Sequence, residues 1–292
     1  MKMTNRIALA CVAVLVAPVF AMGGPDTAGR TLGTAKAPDG AEIRYEAAGS
    51  GEPALVFVHG WSCDRSYWRA QTDHFAASHR VVAVDLGGHG ESGLSRKDWT
   101  MAAFGGDVRA VVDALGLRKV VLVGHSMGGH VIVEAAQLMP DRVAAVVLVD
   151  TFEDVDRHMS EEQLESFLAP MRAEFRGTTE AWVRRYLFVG RSDPKLVDRI
   201  ARDMAAGPPA VGLSAMVNIR HYDEGAGLAA VKAPVRMINA DLFPTNLEAA
   251  RRRKPDVSLA VMPGVGHFLM MEDPDEFNRL LARAVKELLA TR

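Results

Sequence analysis

The stretch KVVLVGHSMGGHVIVEAAQ, residues 119–137, decides how the rest of the chain is read. After Lys119 its first residues are aliphatic and mostly β-branched, as in a buried strand. From His130 to Met139 the pattern is helical. Between the two, Gly124-His125-Ser126-Met127-Gly128-Gly129 makes a strand turn at once into a helix. A serine at such a turn sits on strained backbone with its hydroxyl presented outward, and a Cβ two residues to either side would collide. Glycines suit any sharp strand-to-helix turn, however, so Ser126 counts as a nucleophile only if the surrounding chain supplies the rest of the chemistry.

The chain of 292 residues has room for one large α/β domain or two small ones, and its 49% hydrophobic and 24% charged content is that of a soluble globular protein. A formal net charge of −2 gives no electrostatic reason to expect nucleic acid or an anionic membrane as partner. The basic run Arg251-Arg252-Arg253-Lys254 reads as a solvated helix end. At the N-terminus, Lys2 and Arg6 precede an apolar run over 7–20, and Val19-Phe20-Ala21 offers a cleavage site. That is the pattern of a secretory signal peptide, too short for a comfortable membrane span. Residues 1–21 are therefore expected to be removed, leaving a flexible lead over 22–30 and an exported protein, periplasmic or secreted, with no membrane attachment. An uncleaved N-terminal anchor is the alternative. Cys11 lies inside the apolar run without the small-residue setting of a lipidated cysteine, so the mature chain keeps Cys63 alone and has no internal disulfide.

From Thr31 onward short apolar runs alternate with amphipathic ones. Strands are predicted at 33–37, 42–48, 54–58, 81–85, 120–123, 143–149, 235–239 and 258–262. Helices are predicted at 67–77, 100–115, 129–139, 246–254 and 274–291. Pro38-Asp39-Gly40 turns the first two strands into a hairpin. The later strands are continuous apolar runs such as AVVLV, as in a parallel sheet covered on both faces. The expected fold is thus α/β, a mostly parallel, doubly wound sheet of about eight strands. Residues 152–220 break the alternation, with helical stretches at 161–175, 179–188, 194–204 and 209–218 and no strand. A connection of that length reads as an inserted helical cap, dividing the core into 31–151 and 221–292. Trp182, Tyr186, Phe188, Met204 and Met216 either pack this cap or line a pocket under it, while Arg172, Arg176, Arg184 and Arg185 read as solvated.

A serine hydroxyl needs a histidine base, and the histidine needs a carboxylate to orient it. In an open α/β sheet these groups belong directly after strands, at the carboxyl ends. His267 follows a strand and the turn Gly264-Val265-Gly266, and is the candidate base. Asp241, closing the penultimate strand, is the first choice of acid, and Asp150, closing AVVLVD one strand earlier, is its alternative; Asp154 and Asp273 rank behind both. An oxyanion would need two fixed N–H donors. Met127, the residue after the serine, offers one, and Trp61 in His59-Gly60-Trp61, directly after the third strand, offers the other. The chain has neither H-E-x-x-H nor paired Cys/His spacing, and no G-x-G-x-x-G opening a helix after the first strand, so neither metal nor dinucleotide nor any other cofactor is expected.

Four motifs in this order, His59-Gly60-Trp61, Asp85-Leu86-Gly87-Gly88-His89-Gly90-Glu91-Ser92, Gly124-His125-Ser126-Met127-Gly128-Gly129 and Gly264-Val265-Gly266-His267-Phe268, resemble the α/β-hydrolase fold superfamily, in its branch with a helical cap, from about Leu32 to the C-terminus. The resemblance implies a Ser126–His267–acid triad with Met127 and Trp61 as oxyanion donors. It implies structural roles for Asp85 and His89, and structural or pocket-lining ones for His125 and His130. The family's usual acid setting, G-x-x-D…P, is altered in NADLFPTN, which keeps Asp150 beside Asp241. The serine argues against the aspartate-nucleophile dehalogenases and epoxide hydrolases. The expected activity is hydrolysis of small, largely apolar carboxylic esters or lactones through an acyl-enzyme. Cleavage of a C–C bond, acyl transfer and cofactor-free perhydrolysis are possible with the same triad, and a non-catalytic ligand-binding relative is the alternative from another class.

Overall fold

The structure is a computed structural model describing residues 29–290. The expected signal peptide lies outside the described residues, as does the expected lead up to residue 28. Arg30, at the end of that lead, is anchored: its guanidinium pairs with Glu46 and Asp73, and its side chain is 7% exposed.

Among the described residues, eight strands form one sheet in the order β1-β2-β4-β3-β5-β6-β7-β8. They are β1 (Thr31–Lys36), β2 (Glu42–Ala48), β3 (Ala54–Val58), β4 (Val81–Val84), β5 (Val120–His125), β6 (Val143–Val149), β7 (Val235–Ala240) and β8 (Ser258–Met262). The β1-β2 and β2-β4 pairs are antiparallel and all the others parallel. Every residue of β3, β4, β5 and β6 is buried, as continuous Val/Leu/Ala runs require when helices cover both faces. The outer strands β1 and β8 keep exposed positions.

Among the described residues, the α-helices outside the β6–β7 connection are α1 (Arg69–Phe75), α2 (Met101–Ala114) and α3 (Met127–Leu138), followed late in the chain by α9 (Leu247–Arg253), α10 (Leu269–Glu272) and α11 (Pro274–Ala290). Helix α2 starts where Thr100 accepts a bond from Ala103 N–H at 3.1 Å, and buries Met101, Phe104, Val108 and Val111 on one face. Helix α11 buries Phe277, Leu281, Ala284, Val285 and Leu288 at i, i+3 and i+4 spacing. Buried Gln71 ties α1 to this layer, donating to Met270 O at 3.1 Å and Asn278 Oδ1 at 3.0 Å. At the end of α9 the basic run divides. Arg252 and Arg253 pair with Asp156 at the surface, but Lys254 is buried with Nζ on Val231 O at 3.1 Å, so only part of the run is solvated.

Between β6 and β7 the described residues hold α4 (Glu161–Ala173), α5 (Phe175–Tyr186), α6 (Pro194–Ala205), α7 (Pro209–Arg220) and α8 (Glu224–Ala230), and no strand. Their starts are encoded locally: Ser160 and Gln163 form a reciprocal capping box, and Asp193-Pro194 caps and opens α6. Met204 and Met216 are packing residues, 3% and 4% exposed, whereas Tyr186 is 49% exposed. Arg172 and Arg184 pair with Glu165 and Asp198 on the outer surface.

The chain runs from β3 to β4 on one side and then crosses to β5 on the other side of β3. Winding thus reverses between β3 and β5, and a doubly wound sheet opens its crevice at the carboxyl ends of such a pair. Those ends carry His59-Gly60-Trp61 and Ser126.

Candidate active site

Ser126 has φ 54° and ψ −121°, a backbone conformation that costs a non-glycine residue about 1–3 kcal/mol. Its neighbours hold it there. Ser126 N–H donates to Val149 O at 2.9 Å, and Gly129 N–H donates to Ser126 O at 2.8 Å. The flanking glycines are required by close approach: a Cβ on Gly124 would lie 2.3 Å from Gly128 O, and one on Gly128 would lie 2.4 Å from Val58 O. The serine is half-buried between buried His125 and Met127.

The loop after β3 presses on this turn, so that a Cβ on Gly60 would stand 3.2 Å from that of Ser126. Both candidate N–H donors, Met127 and Trp61, therefore flank the serine, at the start of α3 and in the β3 loop. His59 shapes that loop from beneath. Its Nε2 accepts from Leu86 N–H at 3.0 Å, which fixes the proton on Nδ1, where it is donated to Gly60 O at 2.8 Å. Burial pushes its pKa down to about 4, so it stays neutral. Asp85 organises the next loop by accepting from Arg65 N–H at 2.7 Å and Glu91 N–H at 2.9 Å, besides pairing with the Arg65 guanidinium. His89 is buried, its pKa pushed down to about 3 by desolvation, and contacts His59 at 5.1 Å between ring centroids.

His267 is 9% exposed, and its Nδ1 lies 2.7 Å from Asp150 Oδ2. The other oxygen, Asp150 Oδ1, accepts from Ala240 N–H at 2.6 Å. Asp150 itself is 1% exposed and holds φ 46°, and Phe152 two residues on has φ 57°. Asn239, fully buried near the end of β7, stabilises this turn: Nδ2 donates to Thr151 O at 3.2 Å and Thr245 Oγ1 at 2.9 Å. His125 supports His267 from below, its Nε2–H donating to His267 O at 2.8 Å with the ring centroids 4.6 Å apart. Burial first, and His267 next, hold the pKa of His125 far below its usual value, so it remains a neutral strut.

The choice of Asp241 as the carboxylate on His267 is corrected. Asp241 is exposed, and its Oδ1 accepts from Gly264 N–H at 2.7 Å, at the root of the histidine loop. The partner of the imidazole is Asp150, which directly follows β6, the strand that pairs with β5. Asp154 and Asp273 are occupied elsewhere, on Asn246 Nδ2 at 3.2 Å and Glu276 N–H at 3.2 Å. The sequence reading missed Asn239, whose signal was a lone amide inside an apolar strand.

The helical insertion reaches this site through aromatic rings. Trp61 meets Trp182 edge-on at 6.2 Å and Phe175 at 6.0 Å, and its Nε1–H donates to Gly212 O in α7 at 2.7 Å. Phe188 stacks on Phe268, the residue after His267, at 5.5 Å.

A family model described as the alpha/beta hydrolase family matches residues 55–280. The chain belongs to this family. Among curated relatives, a dihydrolipoyllysine-residue acetyltransferase component of an acetoin cleaving system from Pseudomonas putida is 29% identical over 281 residues, covering 90% of this chain and 72% of that protein. A protein of the same description from Cupriavidus necator is 39% identical over 111 residues, covering 38% of this chain and only 30% of its own length. Among solved structures, a thermophilic esterase from Thermogutta terrifontis superposes with TM-score 0.77 at 28% identity, over 89% of this chain and 99% of the other. The family match and the likeness to the esterase indicate a protein of the α/β-hydrolase type.

Proposed function

We propose that the protein is a serine hydrolase of small, largely apolar carboxylic esters or lactones, acting through a Ser126–His267–Asp150 triad. The observation that carries this reading is the 2.7 Å bond between His267 Nδ1 and a carboxylate buried at the end of β6, beside the strained turn of Ser126. In this mechanism His267 Nε2 takes the Ser126 proton as Oγ attacks the substrate carbonyl. Asp150 fixes the tautomer and stabilises the imidazolium that forms. The N–H groups of Met127 and Trp61 bind the developing oxyanion, and the leaving alcohol takes the proton back from His267. Water, deprotonated by the same histidine, then releases the acyl group. The rings of Trp61, Trp182, Phe175 and Phe167 offer an apolar wall for that group, and the insertion at 152–220 acts as the cap over it.

Ser126→Ala is expected to lower kcat on p-nitrophenyl acetate by about 10³-fold or more, since triad members act as a unit. A fluorophosphonate probe should label the wild type and not this variant; near-normal turnover by Ser126→Ala would overturn the assignment. A panel of p-nitrophenyl esters of increasing chain length, with several lactones, tests the substrate class.

The likeness to the Pseudomonas putida acetyltransferase component over most of this chain favours a second reading, in which an acceptor other than water takes the acyl group. Partition of acyl product between water and added thiol or alcohol acceptors separates the two. The reading of residues 1–21 as a signal peptide makes the mature enzyme an exported one, and N-terminal sequencing of protein from cell fractions tests that.

A further inference from the structure

The base sits in a loop whose backbone polar groups are held largely from outside the sheet. On the N-terminal side of His267, Gly266 N–H donates to Glu272 Oε1 at 2.9 Å, and Glu272 Oε2 accepts from Ser192 Oγ at 2.6 Å. His267 N–H donates to Leu187 O at 2.8 Å. The Arg191 guanidinium bonds Gly264 O and also reaches Pro263 O at 3.2 Å. Residues 187, 191 and 192 belong to one turn, between α5 and α6 of the insertion. That turn is closed on itself, because Val189 N–H donates to Ser192 Oγ at 3.1 Å and Ser192 N–H to Val189 O at 3.0 Å. Ser192 therefore accepts from its own turn while donating to Glu272, which leaves the carboxylate little freedom.

Asp150 fixes the imidazole at Nδ1, but a single bond leaves a ring free to tilt about it. The tilt is set by the backbone that carries the ring. Here the backbone is bonded at consecutive residues, Gly266 and His267, to the turn of the insertion or to the carboxylate bonded to it. We propose that Glu272, with Ser192 and Arg191, is a positioning residue for His267, so that the insertion sets the alignment of the base as well as covering the site. This rests on the triad reading above, and on no contact between these three side chains and substrate.

The test compares Glu272→Ala, Glu272→Gln, Ser192→Ala and Arg191→Met with wild type and with Ser126→Ala. The readouts are kcat and KM on p-nitrophenyl acetate, fluorophosphonate labelling rate and Tm. A misplacement of about 1 Å costs up to about 10²-fold in rate, so Glu272→Ala should lower kcat and labelling together by about 10- to 100-fold, with KM within about twofold of wild type. Glutamine can still accept from Gly266 through its carbonyl while its amide donates to Ser192, so Glu272→Gln should recover most of that rate. Ser192→Ala and Arg191→Met, which leave the histidine loop itself untouched, should each lower kcat by about 3- to 10-fold, and they carry the test if Glu272→Ala does not fold. Unchanged kcat in folded Glu272→Ala and Ser192→Ala, with Ser126→Ala inactive, overturns the positioning role and leaves the triad standing. So does an equal loss in Glu272→Ala and Glu272→Gln that follows Tm alone. Activity persisting in Ser126→Ala removes the triad and the positioning role with it.

Discussion

Two aspartates follow neighbouring parallel strands, Asp150 after β6 and Asp241 after β7, and their surroundings are opposite. Asp150 is 1% exposed, sits at φ 46° on a turn stapled by Asn239, and divides its oxygens between His267 Nδ1 and Ala240 N–H. Asp241 lies in solvent and bonds the backbone of Gly264. A carboxylate that must stabilise an imidazolium is most effective where water does not screen it and where fixed donors hold it in place. Position after an apolar strand is common to both residues and selects neither. What separates them is the depth of the turn, set by which neighbouring strand supports it.

The sharpest break between the two comes from removing each charge without changing shape. Asp150→Asn is expected to lower kcat by about 10³- to 10⁴-fold, because an amide facing Nδ1 favours the wrong imidazole tautomer. Asparagine tolerates the left-handed conformation, so the turn should survive and Tm should change little. Asp241→Asn should stay within about threefold of wild type, since the amide oxygen still accepts from Gly264, a bond of only about 1 kcal/mol. Steady-state kinetics on one ester suffice; a loss in Asp241→Asn comparable with that in Asp150→Asn would erase the distinction.

The support beneath the two turns gives a smaller effect. Asn239 is fully buried and bonds Thr151 of the Asp150 turn and Thr245 of the loop that begins at Asp241. Asn239→Ala strands those partners, and each buried group left unpaired costs about 1–3 kcal/mol. Urea unfolding should register a loss of about 3 kcal/mol, with kcat reduced about tenfold as Asp150 loses its fixed place. Unchanged stability would mean that the two turns hold themselves independently.

The same contrast explains what the sequence could and could not disclose. Strands with every residue buried announce themselves as apolar runs, and β3 and β6 have the predicted bounds; so do β2 and β8, which are only partly buried. The turn at Ser126 was legible because its residues are contiguous and one clash, that of Gly124 with Gly128, is local; the clash at Gly128 is with Val58, on a distant strand. The short helix α8 was not anticipated, because its segment 224–230 is mostly Gly and Ala and has no apolar stripe. The carboxylate that meets His267 was illegible for a different reason. Whether Asp150 or Asp241 meets His267 depends on register and depth between β5, β6 and β7, relations among residues far apart in the chain. The bonds of Glu272 to Ser192 and of Arg191 to Gly264 and Pro263 belong with this second kind, since they span 80 and 72–73 residues.

The mildest test uses pH and a residue that belongs to the Asp150 side. Glu153 ends the same turn, its carbonyl accepting from Asn246 N–H at 2.6 Å. Desolvation, and next the charge of Asp150, push its pKa up from 4.5 to about 7. Between these two values the unfolded chain has lost the Glu153 proton and the folded chain keeps it. The stabilising contribution is therefore complete below about pH 4.5 and is lost as pH rises to about 7. Buried His59 works in the other direction: it stays neutral while its unfolded form charges, so its contribution is present above pH 6.5 and is lost as pH falls toward about 4. Glu153→Gln should remove only the first of these slopes. Urea unfolding at pH 5 and pH 7 is expected to show the wild type losing on the order of 1–2 kcal/mol more than the variant across that interval. Parallel pH profiles for the two proteins would mean that Glu153 is as well solvated as Asp241, and that the dry pocket around Asp150 ends before reaching it.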